Sequence, residues 1–129
     1  MMKRTLLGLY AIMAGVGMTT AAKAELKGDD IYLRNCSACH QADGNGISGA
    51  FPALKNNSFV TGDTDQVIHV LLNGRGGMPS FNGDITDDEI ASVINFIRSD
   101  LNGISSDMID GEQVRDLKTT ERQKMEREG

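Results

Sequence analysis

The sequence contains no tryptophan, and aromatic residues make up only 5% of its 129 positions. After the first 24 residues, the apolar side chains are thinly spread between glycine-rich stretches. A chain of this length favours one domain, and a domain with so small a hydrophobic core usually depends on a metal, a disulfide or a cofactor. The composition therefore predicts that the hydrophobic core alone does not stabilise the fold, and that some residues bind such a stabilising group.

Positive charge is also scarce. The chain has 13 Lys and Arg residues against 18 Asp and Glu residues, a formal net charge of −5. Three of the basic residues lie within positions 1–24, so the chain without that segment carries a formal charge of −8. An acidic surface of this kind is unsuited to nucleic acid, whose backbone requires Lys and Arg. It fits a protein partner with a basic or an apolar docking face, and it also fits a charge that serves solubility alone.

Several catalytic and structural patterns are missing. No constellation of Asp and Glu indicates hydrolysis, and no glycine loop precedes a helix in a nucleotide-binding βαβ unit. No segment alternates polar and apolar residues as a strand does, so we predict an all-α fold with long loops. A loop as long as residues 44–57 normally needs something to wrap around.

The apolar run closest to membrane-spanning length lies at the N terminus. A basic pair at positions 3–4 precedes an uncharged apolar stretch over residues 6–18, and Ala-Lys-Ala at 22–24 fits a small-x-small cleavage site. The apolar stretch is shorter than the ~20 residues of a membrane-spanning helix. We interpret residues 1–24 as a Sec-type signal peptide, which predicts a periplasmic protein without stable membrane insertion. An uncleaved anchor is the alternative.

Helical periodicity is present in three segments. Residues 27–37 form the first, and the second runs from residue 64 or 65 to an Asn-Gly stop signal at 73–74. The third begins at a capping box, Thr-Asp-Asp-Glu at 86–89, and ends at an Asn-Gly pair at 102–103. Its apolar face is formed by Ile90, Val93, Ile94, Ile97 and Leu101.

Residues 104–129 differ from the rest in composition. They are rich in charge, with one weak apolar pair at Val114 and Leu117. We interpret this segment as a charged C-terminal tail outside the core, loosely docked or disordered, in which residues 112–127 are compatible with a short solvated helix. The remaining residues, 25–103, form the predicted domain.

The chemistry is carried by Cys36-Ser37-Ala38-Cys39-His40, a C-x-x-C-H sequence. This spacing is a c-type haem attachment signature. Two cysteines three positions apart at a helix end each reach one vinyl group of the porphyrin and form a thioether. His40 then lies beneath the iron and supplies an imidazole nitrogen. Export agrees with this prediction, because haem c is attached outside the cytoplasm.

The two cysteines are open to three other interpretations. A redox-active C-x-x-C pair belongs in a thioredoxin-like βαβ setting, and no predicted strand flanks this one. A structural zinc site needs four ligands, and His40 is poorly placed to share one metal with the adjacent Cys39. A disulfide between Cys36 and Cys39 closes too small a loop to stabilise much. Haem attachment is therefore the favoured interpretation.

A haem iron that only carries electrons needs a second axial ligand, since an open position binds small molecules. The mature chain offers Met78, Met108 and Met125, of which the last two lie in the predicted tail. His69, within the second helix, is the rival ligand, although a lone helical histidine is more often a partly exposed surface residue.

Met78 is favoured by the loop around it. Gly76 and Gly77 let the backbone come close to a flat cofactor, and Pro79 holds Met78 in an extended conformation. The alternative for an isolated methionine is that it fills a gap in the core. The flanking glycines and proline argue against that, so we predict His40 and Met78 as the axial ligands.

With these motifs, residues 26–101 resemble the class I cytochromes c, the small soluble monohaem type. The resemblance rests on the C-x-x-C-H sequence and on five further motifs in order: Gly44-x-Gly46, Phe51-Pro52-x-Leu54, Leu72-x-Gly74, Gly77-Met78-Pro79 and Asn95-Phe96-Ile97-Arg98. It implies the cytochrome c fold, in which three to four helices and long loops wrap around one covalently bound haem c.

The resemblance also implies roles for single residues. The first helix crosses the last near a right angle, with Gly28 and Tyr32 against Phe96. The Pro52 carbonyl accepts a hydrogen bond from the second ring nitrogen of His40. Arg75 pairs with a haem propionate, or is a solvated loop arginine.

The implied function is one-electron, outer-sphere transfer by a carrier that is not itself an enzyme. The expected partners are redox proteins: a terminal oxidase, a reductase or a quinoprotein dehydrogenase in a respiratory or dehydrogenase pathway. The tail weakly resembles extensions on cytochromes that accompany quinoprotein dehydrogenases. Two alternatives stay open at this point: an enzyme or gas sensor with an open iron site, and a subunit permanently bound in a complex.

Overall fold

The computed structural model describes residues 27–129, so the predicted signal peptide, residues 1–24, lies outside the described residues. The described chain contains six helical segments: α1 (Gly28–Asn35), α2 (Ser37–His40), α3 (Ser58–Thr61), α4 (Thr64–Asn73), α5 (Asp87–Ser99) and α6 (Gly111–Glu128). Within residues 27–129 the β structure consists of isolated bridges alone. The all-α prediction is confirmed, with more helical segments than the predicted three to four because α2 and α3 are single turns and α6 was assigned to the tail.

The central helix α5 begins where its capping box predicts. The Thr86 hydroxyl accepts a hydrogen bond from the Glu89 amide at 3.2 Å, and the Glu89 carboxylate accepts one from the Thr86 amide at 2.8 Å. This reciprocal pair satisfies amides that have no partner within the helix. Most of the predicted apolar face is buried, with Ile90, Val93 and Ile94 fully inaccessible to solvent. The helix ends at Ser99, before the predicted Asn-Gly pair, so Leu101 lies beyond it and is only partly buried.

Helix α1 packs closely across α5, and a glycine allows the approach. A Cβ atom at Gly28 would lie 2.7 Å from the Phe96 Cβ and nearer still to the Ser92 carbonyl oxygen. One turn further along α1, the Tyr32 and Phe96 rings pack in a tilted arrangement with centroids 5.4 Å apart. The contact of Gly28 and Tyr32 with Phe96 that the family resemblance implies is therefore present.

One hydrophobic cluster joins these elements. Its buried members come from α1, α3, α4, α5 and the segment that ends in α6: Ile31, Tyr32, Val60, Val67, Ile68, Leu71, Leu72, Ile90, Ala91, Val93, Ile94, Ile97, Ile109 and Val114. Burying one aliphatic side chain of this size stabilises a fold by roughly 1.5–3 kcal/mol. The cluster is aliphatic apart from Tyr32, in keeping with the scarcity of aromatic residues.

The interpretation of residues 104–129 as a tail outside the core is wrong. Ile109 is 6% exposed and Val114 is fully buried, and both belong to the hydrophobic cluster. The Asn95 side chain holds the connecting segment, since its amide donates to the Ile109 carbonyl at 2.7 Å and its oxygen accepts from the Ile109 amide at 3.0 Å. Asp110 then caps α6 by accepting from the Gln113 amide at 3.0 Å.

Among residues 27–129, no helix combines the length and the apolar character that a membrane-spanning segment requires.

Candidate functional site

The two cysteines and the histidine lie at a bend between two helices. Cys36 ends α1, where its amide donates to the Tyr32 carbonyl at 2.9 Å, and it also precedes α2. The Cys36 carbonyl accepts from the His40 amide at 2.9 Å, which places the three side chains on successive faces of one helical turn. Cys39 is exposed and His40 is 8% exposed.

The His40 ring is fixed by a backbone carbonyl. Its Nδ1 atom lies 2.8 Å from the Pro52 carbonyl oxygen, in the arrangement that the resemblance implies. A carbonyl can only accept a hydrogen bond, so Nδ1 carries the proton and Nε2 keeps a free lone pair. Such an outer contact sets the tautomer and orientation of a metal-binding histidine and raises its basicity.

Tyr32 holds the end of the same motif. Its hydroxyl donates to the Gln41 carbonyl at 2.7 Å, and Gln41 has a positive φ of 66°, which is uncommon outside glycine. Burial raises the pKa of Tyr32 to about 12, and the charges of Cys36 and Asp43 act in the same direction. The hydroxyl therefore stays protonated and keeps donating throughout the physiological range.

The thiols themselves fit covalent attachment better than the other interpretations. Both cysteines are free, and burial raises the pKa of Cys36 to about 11, with the neighbouring Cys39 adding to the effect. A redox-active C-x-x-C pair has a lowered thiol pKa, the opposite of what is found here. Within the part of the chain that the structure describes, no group of three or more His, Cys, Asp and Glu side chains is arranged to hold a metal ion.

Met78 lies in a closed loop that starts at the end of α4. The Arg75 amide donates to the Met78 carbonyl at 3.1 Å and the Met78 amide donates to the Arg75 carbonyl at 2.9 Å, so Gly76 and Gly77 form a tight turn. Gly74 begins the loop with φ +73°, and a Cβ atom there would lie 2.5 Å from the Met78 carbonyl oxygen. Met78 is partly buried against the hydrophobic cluster.

The exit of this loop is also attached to α4, by residues that the sequence analysis missed. The Ser80 hydroxyl donates to the Leu72 carbonyl at 2.6 Å, and the Phe81 amide donates to the Leu71 carbonyl at 2.8 Å. These carbonyls belong to the last turn of α4 and have no partner within the helix. A serine shortly after a predicted helix end is the only signal that pointed to this role.

Arg75 and His69, each of which has two possible roles in the sequence analysis, lie in different surroundings. The Arg75 guanidinium lies over the Phe59 ring, 4.5 Å from its centroid. Its pairing with a haem propionate stays a prediction. The His69 ring lies on the exposed side of α4, where Nδ1 is 2.6 Å from the Glu121 carboxylate of α6. His69 is thus engaged at the surface by a helix that carries none of the predicted site residues.

Together, the donor atoms fit a covalently bound haem. Two thiols lie on one helical turn, a buried imidazole has Nε2 free, and a thioether is carried on a loop held at both ends. Imidazole and thioether are the axial donors of electron-transfer haem sites.

Comparison with known proteins agrees with this chemistry. A family model described as cytochrome c oxidase, cbb3-type, subunit III matches residues 23–97. The chain belongs to this family of c-type cytochromes. It is 37% identical to cytochrome c6 of Leptolyngbya boryana, over 54% of this chain and 85% of the relative.

Larger relatives share only this domain. The chain is 30% identical to the alcohol dehydrogenase (quinone) cytochrome c subunit of Gluconobacter oxydans (strain 621H), over 72% of this chain and 22% of the relative. It is 34% identical to the gluconate 2-dehydrogenase cytochrome c subunit of Pantoea cypripedii, over 60% of this chain and 22% of the relative. The chain therefore spans about a fifth of the length of these subunits.

Membership of the family establishes the cofactor and the general role. The cytochrome carries covalently bound haem c, and its general role is electron transfer. The predicted resemblance to the class I cytochromes c is confirmed.

Proposed function

We propose that this cytochrome is a periplasmic one-electron carrier whose haem is attached through Cys36 and Cys39 and ligated axially by His40 and Met78. The observation that carries the proposal is the buried His40 ring, whose Nδ1 is held on the Pro52 carbonyl at 2.8 Å. Nε2 is then the one ring nitrogen with a lone pair available for iron.

When bound, haem c supplies an iron atom that accepts and releases one electron. His40 and Met78 stay in place in both oxidation states, and a His/Met pair raises the reduction potential relative to two histidines. The aliphatic cluster that borders Cys36 and Met78 excludes water and disfavours the more charged oxidised site, which acts in the same direction.

The location and the partner follow from separate observations. The predicted signal peptide, together with haem attachment outside the cytoplasm, supports a periplasmic location. The names of the two larger relatives connect this domain with an alcohol dehydrogenase (quinone) and a gluconate 2-dehydrogenase. Among a terminal oxidase, a reductase and a quinoprotein dehydrogenase, we therefore propose a dehydrogenase as the partner. Docking is weak and brief, as in other small redox encounters.

The ligand assignment is tested by absorption spectra of the periplasmically expressed protein, oxidised and reduced. The oxidised protein shows a methionine-to-iron charge-transfer band, and the reduced protein does not respond to carbon monoxide. Met78→Ala keeps the haem and loses the band, whereas His69→Ala keeps both. A carbon monoxide response in the unmodified protein would instead favour an open iron site, as in an enzyme or gas sensor.

A further inference from the structure

Arg98 is an unusual residue in the last turn of α5. It is 2% exposed, and no ion pair among residues 27–129 includes it. One guanidinium nitrogen donates to the Val60 carbonyl at 2.8 Å and to the Gly62 carbonyl at 3.0 Å. Its Nε atom is buried and has no hydrogen-bond partner. A buried cation with so little compensation is a poor device for general stability, since an apolar side chain of similar volume is often as good or better.

The two carbonyls that Arg98 binds lie at the end of α3. This helix is a single turn, which is too short to be stable without outside contacts. Its start is capped by the Asn57 side chain, which accepts from the Phe59 amide at 2.9 Å and the Val60 amide at 3.3 Å. Its end is held by Arg98 from another helix, in the way that basic side chains bind the last carbonyls of a helix. Arg98 therefore determines where α3 lies relative to α5.

Helix α3 in turn supports the Met78 loop. The Phe59 ring of α3 lies under the Arg75 guanidinium, with the Arg75 Cζ atom 4.5 Å from the ring centroid. Arg75 and Met78 are joined by the two backbone hydrogen bonds that close the loop. A continuous series of contacts thus leads from Arg98 through α3, Phe59 and Arg75 to Met78.

We propose that Arg98 is a positioning residue for the axial ligand: by fixing α3, it holds Phe59 under Arg75 and keeps the Met78 loop closed on the haem iron. The proposal rests on the proposed function, in which Met78 is that ligand. A purely structural role for Arg98 would affect stability alone. The positioning role also predicts altered ligation of the iron, and only for substitutions along this series of contacts.

The test uses the haem-loaded protein and imidazole as an added ligand that competes with Met78 in the oxidised state. Arg98→Met removes the donors but fills similar space, so the loop opens more often. We expect imidazole to bind about tenfold more tightly, the effect of losing roughly one net hydrogen bond. On heating, Arg98→Met also loses the charge-transfer band at a lower temperature than the unmodified protein. Should Arg98→Met fail to fold, Phe59→Leu tests the same series of contacts. It leaves α5 intact, and we expect it to have the same effect on imidazole binding.

Asn95→Ala is the matched control. Asn95 lies on α5 one turn before Arg98 and also makes two hydrogen bonds to backbone, but to Ile109 rather than to α3. We expect Asn95→Ala to lower the unfolding temperature and to leave imidazole affinity unchanged. Arg98→Lys keeps the charge and one donor nitrogen, so we expect it to bind imidazole with an intermediate affinity.

The possible failures can be told apart. If the unmodified oxidised protein lacks the charge-transfer band, Met78 is not the ligand, and the proposed function fails together with this inference. If the band is present but Arg98→Met and Phe59→Leu bind imidazole as the unmodified protein does, the positioning role alone is overturned.

Discussion

The loops that form the haem site differ sharply from the last helix of the chain. We call residues 36–54 and 74–83 the site loops; they contain two charged residues, Asp43 and Arg75. Helix α6, in contrast, carries ten charged residues in 18 positions. The site loops are held by backbone hydrogen bonds and glycine turns. Helix α6 is held by buried Val114, by buried Ile109 in the connection before it, and by ion pairs at its surface.

This difference indicates that the site loops and α6 have separate roles. Because the site loops contain so few charged residues, few fixed charges of the protein perturb the site. Ile109, in the connection before α6, and Val114 of α6 add to the core. Three charged side chains of α6 pair at the surface with residues of α4 and α5. Changes to α6 should therefore alter stability without altering the iron, whereas changes to the Met78 loop should alter the iron as well. The following predictions test that separation.

The largest effect is expected from Val114→Asp in α6. Val114 is fully buried, so the new carboxyl group would lie in the hydrophobic cluster without a partner. We expect the free energy of unfolding to fall by about 3 kcal/mol or more, measured by denaturant titration. The spectrum of the folded fraction should be unchanged. Thr119→Asp, on the exposed face of the same helix, should change stability little, and a similar loss there would contradict the burial of Val114.

Gly74→Ala tests the site loops. Alanine is strained at φ +73°, and its Cβ atom would lie 2.5 Å from the Met78 carbonyl oxygen. We expect a loss of about 2 kcal/mol in the free energy of unfolding and a weaker charge-transfer band. The control is Gly77→Ala, because Gly77 has no atom within 4 Å of a new Cβ and does not have a positive φ. Equal spectra for the two variants would refute the tight Gly74–Met78 approach.

The sequence was sufficient where a local pattern determines a local structure. The capping box at Thr86 predicted the start of α5, and the Asn-Gly pair after α4 predicted its end. The C-x-x-C-H spacing predicted the cofactor because two thioether bonds and an iron ligand require two cysteines and a histidine on one turn. The Gly-Gly-Met-Pro pattern likewise identified Met78 as the candidate ligand, a prediction that the Met78→Ala spectrum tests.

The sequence was insufficient where contacts join distant residues. Ile109 lies in an irregular connection, so no periodicity marked it as a core residue, and α6 without it has too few apolar side chains to predict docking. The burial of Arg98 could not be predicted from the sequence either, because an arginine on an amphipathic helix is normally exposed. Its partners, the carbonyls of Val60 and Gly62, are 38 and 36 positions away.

A smaller effect is expected from Tyr32→Phe, which removes the hydrogen bond to the Gln41 carbonyl. The loss should be about 1 kcal/mol. It should depend on pH, because burial raises the pKa of Tyr32 from 10.0 to about 12. A raised pKa means that folding favours the protonated form, so the contribution is complete below pH 10 and is lost as the pH rises through 10 to 12.

Unfolding titrations at several pH values check this. The stability of the unmodified protein should approach that of Tyr32→Phe between pH 10 and pH 12. Ser37→Ala, which removes an exposed hydroxyl that donates to the Leu33 carbonyl, serves as the control. A difference between Tyr32→Phe and the unmodified protein that stays constant across this range would contradict the role of the buried hydroxyl.

The smallest effect is expected from Glu121→Gln, at the surface contact between α6 and α4. The Glu121 carboxylate accepts hydrogen bonds from the His69 ring at 2.6 Å and from the Asn73 amide at 3.2 Å. Because a quarter of its side chain is exposed, we expect a loss of only about 0.5 kcal/mol. Glu126→Gln, on an exposed turn of the same helix, is the matched control.

The pH dependence of this contact follows from opposing effects on one carboxyl group. Burial raises the pKa of Glu121, but the hydrogen bonds from His69 and Asn73 and the charge of His69 outweigh it, so the net pKa is lowered. A lowered pKa means that the contribution is present above the pKa of the unfolded chain and is lost as the pH falls through the folded value. The gap between the unmodified protein and Glu121→Gln should therefore close on acidification, while the charge-transfer band of both stays the same. If the band instead changed with Glu121, the charged helix would act on the iron, and the separation between α6 and the site loops would not hold.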